Sequence, residues 1–171
     1  SDIADFKMRI FNADGSEAKM CGNGIRCVGK YVYDKGYTDK KFISIETLSG
    51  VKYLTLQVAG GKVKTVAVDM GQAKAEKPIN LTVDGETVSL IPVSVGNPHA
   101  VIFVDDIEKA PLTKLGPIIE HHEAFPDGVN VEFVEVLGAD KLRMRVWERG
   151  SGVTMACGTG ACASVMAAIA A

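Results

Sequence analysis

Two cysteines open the same short pattern: Cys21-Gly22-Asn23-Gly24 and Cys157-Gly158-Thr159-Gly160, each followed directly by an apolar, helix-compatible stretch. A thiol at a helix start meets N–H groups that have no intrahelical acceptor, together with the positive end of the helix dipole. Both favour the thiolate, so each thiol is expected to fall from about 8.5 toward the working pH. The glycines present bare backbone, against which a carboxylate can come close. Two thiols so placed suit inversion of a carbon stereocentre. One removes the proton as thiolate while the other delivers a proton to the opposite face, the roles exchanging with substrate handedness and the pair titrating together. The weakly acidic carbon also needs donors for the charge that develops on its carboxylate, and losing one such donor typically costs about 2.7–4 kcal/mol.

The pattern is part of a longer duplication. Met8-Arg9-Ile10-Phe11 recurs as Met144-Arg145-Val146-Trp147, and Cys21 recurs as Cys157, both at a separation of 136 positions. Each copy runs from a strand through a polar, Gly-containing turn to the cysteine and then into a helix. The other two cysteines, Cys27 and Cys162, are not equivalent in the repeat and are expected in the core as small apolar residues.

The elements that must position these groups are mostly antiparallel strands. Apolar and polar residues alternate over 51–58 and 63–68 around Gly60-Gly61, and over 81–83 and 87–90 around Asp84-Gly85, a pair suited to a type I′ hairpin turn. Further strands are expected at 100–104, 129–136 and 141–148. A helix from Gly22 to Lys35 carries Ile25, Val28, Tyr31 and Val32 and stops at Gly36. A second starts near Gly158, and a short third spans roughly Leu115–Glu123. Prolines 98, 111, 117 and 126 interrupt the middle, and two lobes, 1–85 and 86–171, are expected.

Composition excludes several classes. A net charge of -2 and scattered Lys and Arg give no field for nucleic acid. No apolar run approaches the roughly 20 residues that span a bilayer, and the start lacks a secretory layout, so a cytoplasmic protein with free thiols is expected. Neither glycine-rich turn ends in the Lys-Ser/Thr of a phosphate-binding loop. A metal site built on His99, His121, His122 and Glu123 is disfavoured because adjacent helical histidines do not converge on one ion; His121 and His122 read as a solvated helix face. The sequence lacks an initiating Met, and its last apolar stretch has no helix stop, as expected of a fragment.

Six motifs together resemble diaminopimelate epimerase, in that family's order and over essentially the whole chain. They are Phe11-Asn12-Ala13-Asp14-Gly15-Ser16, Cys21-Gly22-Asn23-Gly24-Ile25-Arg26-Cys27, Gly96-Asn97-Pro98-His99, Val129-Asn130-Val131, Trp147-Glu148-Arg149-Gly150 and Ala156-Cys157-Gly158-Thr159-Gly160-Ala161. The resemblance implies an α+β fold of two pseudo-symmetric lobes, each a curved, mostly antiparallel sheet around a central helix, with the site between them and the chain truncated at both ends. It implies interconversion of LL- and meso-diaminopimelate in lysine and peptidoglycan synthesis, with no pyridoxal phosphate, other cofactor or metal, and with a homodimer as the assembly to consider. On matching positions Cys21 and Cys157 are the acid–base pair. Gly22, Asn23, Gly158 and Thr159 hold the reacting carboxylate. Asn12, Asn97, Asn130 and Arg149 grip the distal end, Glu148 lies near the ammonium groups, and His99 and Glu148 tune the thiols. A bidentate guanidinium and neutral amides fit a long substrate with a second charged end.

Family members are longer at both ends, and the segment before Ser1 carries substrate-contacting groups, so low activity is expected of this piece. The nearest enzyme alternative is a proline racemase or hydroxyproline epimerase, which typically has His where Asn23 stands. A non-enzymatic anion-binding protein is the alternative from another class.

Overall fold

The computed structural model describes residues 1–12 and 15–171, so Ala13 and Asp14 of the first motif lie outside the described residues. The chain divides into two compact units, Ser1–Gly71 and Gln72–Ala171. The division falls before the expected 85/86 boundary because strand Ile79–Val83 pairs with Glu86–Ser94, which keeps that hairpin in the second unit.

The first unit contains β1 (Phe6–Lys7), β2 (Ile10–Phe11), β3 (Glu17–Ala18), α1 (Gly22–Asp34), β4 (Phe42–Thr47), β5 (Gly50–Ala59) and β6 (Lys62–Asp69). Its sheet runs β1-β4-β5-β6, with only β1–β4 parallel, and β2–β3 form a separate small hairpin. Alternation along β5 buries Lys52, Leu54 and Leu56 and exposes Tyr53, Thr55 and Gln57, the period of a strand with one covered face. Lys52 is the polar member of that row, and its Nζ donates to the Met70 carbonyl at 3.3 Å. Gly60 and Gly61 turn the β5–β6 hairpin with φ of 59° and 72°.

α1 lays Ile25, Gly29 and Val32 on a core that includes Ile43, Ile45, Leu54 and Leu56. It ends at Lys35, and Gly36 follows at φ 76°, a left-handed stop that glycine adopts without a Cβ penalty.

The second unit contains β7 (Lys74–Ala75), β8 (Ile79–Val83), β9 (Glu86–Ser94), β10 (Pro98–Phe103), α2 (Leu112–Glu120), β11 (Asn130–Gly138), β12 (Lys141–Glu148), β13 (Gly152–Thr154) and α3 (Gly158–Ala170). The sheet order is β13-β12-β11-β10-β9-β7, with β8 paired to β9. All pairs are antiparallel except β10–β11. Asp84 and Gly85 both have positive φ, 54° and 79°, as the type I′ turn requires.

One face of this sheet, with Ala100, Ile102, Val131 and Phe133, packs with Leu112, Leu115 and Ile119 of α2. α2 starts three residues earlier than expected and runs through Pro117, giving up one main-chain bond to do so. Gly116 makes its close approach: a Cβ there would lie 2.7 Å from the Trp147 ring. His121 and His122 follow the helix end instead of forming part of it.

Cys27 and Cys162, expected in the core, are exposed. The two helices are covered along different rows. α1 is buried at Ile25, Gly29 and Val32, whereas α3 is buried at Gly160, Ala163, Ser164 and Ala167. The repeat equivalent of Cys27 is therefore the buried Ala163, while Cys27 itself lies off the covered row of α1. Cys162 likewise falls outside the covered row of α3.

Gly29 is the tightest point under α1, where an added Cβ would meet Leu54 at 2.7 Å and Leu56 at 3.2 Å. Gly29→Val is expected to destabilise the chain by about 1–3 kcal/mol, the usual cost of overpacking. Urea unfolding checks this; an unchanged midpoint would contradict the packing described.

Candidate functional site

Each cysteine of the repeat caps its helix with its own sulfur. Cys21 (φ −140°, ψ 113°) and Cys157 (φ −126°, ψ 114°) are extended residues placed just before α1 and α3. Each Sγ accepts the N–H of the glycine three residues on, Gly24 or Gly160, at 3.3 Å. Each carbonyl accepts the first intrahelical bond, from Ile25 and Ala161, at 3.0 Å.

The strands leading in are equivalent down to their pairing: Ile10↔Ala18 and Phe11↔Glu17 in one unit match Val146↔Thr154 and Trp147↔Val153 in the other. The second glycine of each motif lies in a crowded place. A Cβ at Gly24 would sit 2.8 Å from Ile10 Cδ1, and one at Gly160 would sit 2.6 Å from Glu132 Oε1.

In the first unit Asn12 closes the β2–β3 hairpin. Its N–H donates to the Ser16 carbonyl at 2.8 Å and its side-chain amide to Ser16 Oγ at 3.0 Å. Gly22 is the first residue of α1, and Asn23 Oδ1 accepts from the Arg26 guanidinium one turn on. Cys21 is half-buried.

In the second unit a continuous set of hydrogen bonds runs to the sulfur. The parallel pairing of β10 with β11 sets His99 opposite Asn130, and Glu132, two residues on, falls on the same face. His99 Nδ1 lies 2.7 Å from Glu132 Oε1, and Nε2 lies 3.0 Å from Asn97 Oδ1. The Asn97 amide donates to Thr159 Oγ1 at 3.2 Å, and that hydroxyl is 3.4 Å from Cys157 Sγ. His99, Glu132, Thr159 and Cys157 are all buried.

A second cluster holds the turn after β12. Asn130 donates to the Pro98 carbonyl at 2.9 Å and accepts the Arg149 N–H at 3.0 Å. The Arg149 guanidinium reaches the Asp127 carbonyl at 2.8 Å, with its stem over Gly128. Glu148 accepts from the Thr154 hydroxyl, and Gly158 is the first residue of α3. Asn97, His99, Thr159 and Cys157 are thus joined directly, as are Asn130 and Arg149.

Two residues absent from the sequence reading stand behind these. Glu132 is one. The other is Glu120, whose buried carboxylate accepts from Trp147 Nε1 at 2.6 Å and from the Gly150 N–H at 2.8 Å. The signal for Glu132 was an acidic residue inside the otherwise apolar Val131–Val134 run; Glu120 ends the apolar Ile118-Ile119 pair of α2. Among the described residues, no three His, Cys, Asp or Glu side chains converge as a metal site.

Burial decides the electrostatics. It pushes the Cys157 thiol up to about 11, and Glu148 and Glu132 add to the rise, while the Thr159 hydroxyl and the Gly160 N–H oppose it. The expected fall of this thiol toward neutrality is therefore corrected: two donors and a helix start do not offset loss of water. Burial also pushes the Glu132 carboxyl up, opposed chiefly by His99. The neutral Cys157 thiol contributes to stability fully below the ordinary thiol range, and this contribution is lost as pH rises through about 11. Iodoacetamide labelling followed by mass spectrometry is expected to show Cys157 modification still accelerating between pH 8 and 10. A plateau by pH 8 would contradict the assignment.

The family model described as diaminopimelate epimerase matches residues 1–76 and 91–171. The chain is 56% identical to a diaminopimelate epimerase of Phocaeicola vulgatus and 57% identical to one of Bacteroides thetaiotaomicron, in each case over 99% of its own length. It spans 65% and 63% of the length of those two curated relatives.

Among solved structures, a probable proline racemase from Agrobacterium radiobacter K84, with bound carbonate, matches with a TM-score of 0.78. The match has 19% identity and covers 96% of this chain and 56% of that one. A hydroxyproline epimerase from Agrobacterium vitis, with bound trans-4-hydroxy-L-proline, gives 0.78 at 18% identity, covering 96% and 55%. These two share the fold described above, α+β with mostly antiparallel sheets. By the extent of the family match and the identity to its members, this chain belongs to the diaminopimelate epimerase family.

Proposed function

We propose that the protein interconverts LL- and meso-diaminopimelate, with Cys21 and Cys157 exchanging protons at opposite faces of one α-carbon. The observation that carries this reading is the duplicated station: two cysteines, 136 positions apart, each capping a helix with its sulfur at the same 3.3 Å distance. Family membership supports the substrate. A neutral, buried Cys157 thiol supports its role as the acid of the resting pair, which leaves proton removal to Cys21.

In this reading the main-chain N–H groups at Gly22-Asn23 and Gly158-Thr159 stabilise the charge on the reacting carboxylate, as oxyanion donors do. Asn12, Asn97, Asn130 and Arg149 hold the distal end. Glu148 faces the ammonium groups, and His99 and Glu148 tune the thiols. Turnover proceeds without pyridoxal phosphate or metal, in the cytoplasm, and serves lysine and peptidoglycan synthesis. A homodimer is the assembly to test.

The proline racemase and hydroxyproline epimerase likeness, at 19% and 18% identity, supports the fold alone. Asn23, where those enzymes typically carry His, favours the longer substrate.

The test uses the complete gene product in deuterated water with diaminopimelate and, separately, with proline. Exchange at the α-carbon is expected with diaminopimelate only. Cys21→Ala and Cys157→Ala are each expected to lose at least 10²–10⁴-fold in epimerisation rate, the contribution of a positioned acid or base, while calorimetry still detects ligand binding. Cys27→Ala, an exposed control, is expected to stay within twofold of the parent. Exchange with proline alone, or full activity in either alanine variant of the repeat cysteines, would overturn the proposal.

A further inference from the structure

Glu132 takes no part in the roles above, yet it is wholly buried, its Oε1 bonded to His99 and its Oε2 without a hydrogen bond among the described residues. A buried histidine–carboxyl contact with an unsatisfied oxygen is a weak stabiliser, since an apolar side chain of similar volume commonly does as well or better. It also crowds position 160, where a Cβ would fall 2.6 Å from its oxygen and displace it from His99 or be displaced itself. The local structure is thus built around an acidic side chain that stability alone does not require.

The directions of the bonds bear on what that side chain does. The Asn97 amide nitrogen donates to Thr159, so its carbonyl oxygen is what faces His99 Nε2. A carbonyl only accepts, so Nε2 must carry a hydrogen. Thr159 Oγ1 already accepts from Asn97, and its single hydrogen is available to Cys157 Sγ when the sulfur is a thiolate with no hydrogen of its own. With the Thr159 hydrogen directed at the sulfur, every hydrogen in the set points toward Cys157, provided that Nδ1 accepts a hydrogen from the Glu132 carboxyl, whose neutral form burial favours. Without that partner the ring is free to place its hydrogen on Nδ1, and Nε2 then confronts the Asn97 carbonyl with a lone pair.

We propose that Glu132 is a positioning residue for this reaction, fixing His99 with a hydrogen on Nε2 so that Asn97 and Thr159 are aligned as donors toward the Cys157 sulfur. This role rests on Cys157 being one of the acid–base pair, and it acts through His99 without touching substrate. The charged or titratable groups facing it are His99 on β10, Glu148 on β12 and Cys157 ahead of α3. In this arrangement a glutamine substitutes for the neutral carboxyl, because its amide donates to Nδ1 as the acid does and leaves the hydrogen on Nε2. An isosteric apolar residue does not.

The test compares the parent chain with Glu132→Gln and Glu132→Leu. Nitrogen-15 spectra of the His99 ring are expected to show a protonated Nε2 in the parent and in Glu132→Gln, and a mixture of tautomers in Glu132→Leu. Iodoacetamide labelling of Cys157 at pH 9 is expected to be within twofold of the parent for Glu132→Gln and at least fivefold slower for Glu132→Leu. In the complete gene product with diaminopimelate, Glu132→Leu is expected to lower kcat at least tenfold with KM within threefold, and Glu132→Gln to retain kcat within threefold.

A parent ring with an unprotonated Nε2 overturns the proposal even if the leucine variant fails to fold. So does a glutamine variant as impaired as the leucine one. Absence of epimerisation in the parent would instead count against the proposed function, and the ring spectra and labelling rates would still decide the role of Glu132 in positioning.

Discussion

The constraint on which the rest of the structure depends is the main-chain N–H group that every helix start leaves without an acceptor. In α1 and in α3 that need is met by sulfur, at the same distance and with the same extended backbone at the cysteine. Meeting it fixes the cysteine at the helix start, orients Sγ beside the first-turn amides, and brings Gly24 and Gly160 close to the sulfur and to Ile10 and Glu132 respectively. A polar atom used as a cap is also a polar atom with donors around it. The capping geometry and the chemistry proposed for the thiols therefore share one physical cause.

The two stations are alike in backbone and unlike in surroundings. Cys21 is half-buried, whereas Cys157 is buried at the end of a series that runs through a hydroxyl, an amide, an imidazole and a carboxyl. Burial makes the neutral form of Cys157 the resting one, and the aligned donors favour the charged form. A group held between opposing effects of this kind changes protonation state when a substrate alters either of them, which is the property general acid–base catalysis uses. Glu120 is a second buried acidic residue behind these groups: it accepts from Trp147 Nε1 and from the Gly150 N–H, on either side of Glu148 and Arg149.

Much of this was legible in the residues. The duplication at 136 positions predicted equivalent helix starts, and the structure extends the equivalence to the strand pairing before them. Asp84-Gly85 and Gly60-Gly61 announced their hairpins because only positive φ closes a two-residue turn with the twist of the strands.

What the residues hid has physical reasons. α2 runs through Pro117 because α2 packs against Trp147, and the packing outweighs one lost main-chain bond. Cys27 and Cys162 are exposed because α1 and α3 are covered along different rows, a tertiary choice no periodicity records. The Cys157 thiol went the other way from expectation because a motif shows its donors and not the depth at which they lie. Glu132 was missed because a diagonal contact across a parallel strand pair joins residues 33 apart in sequence.

The central claim is that two monoprotic thiols, not one group, serve a single α-carbon. Early in the reaction of LL-diaminopimelate in deuterated water, the origin of the new α-hydrogen tests it most directly. Two thiols predict that product carries deuterium from the first turnovers while recovered substrate carries almost none, because the hydrogen removed stays on one sulfur and the one delivered comes from the other. Deuterium entering substrate and product at equal rates from the outset would contradict the account and assign both steps to one exchanging group.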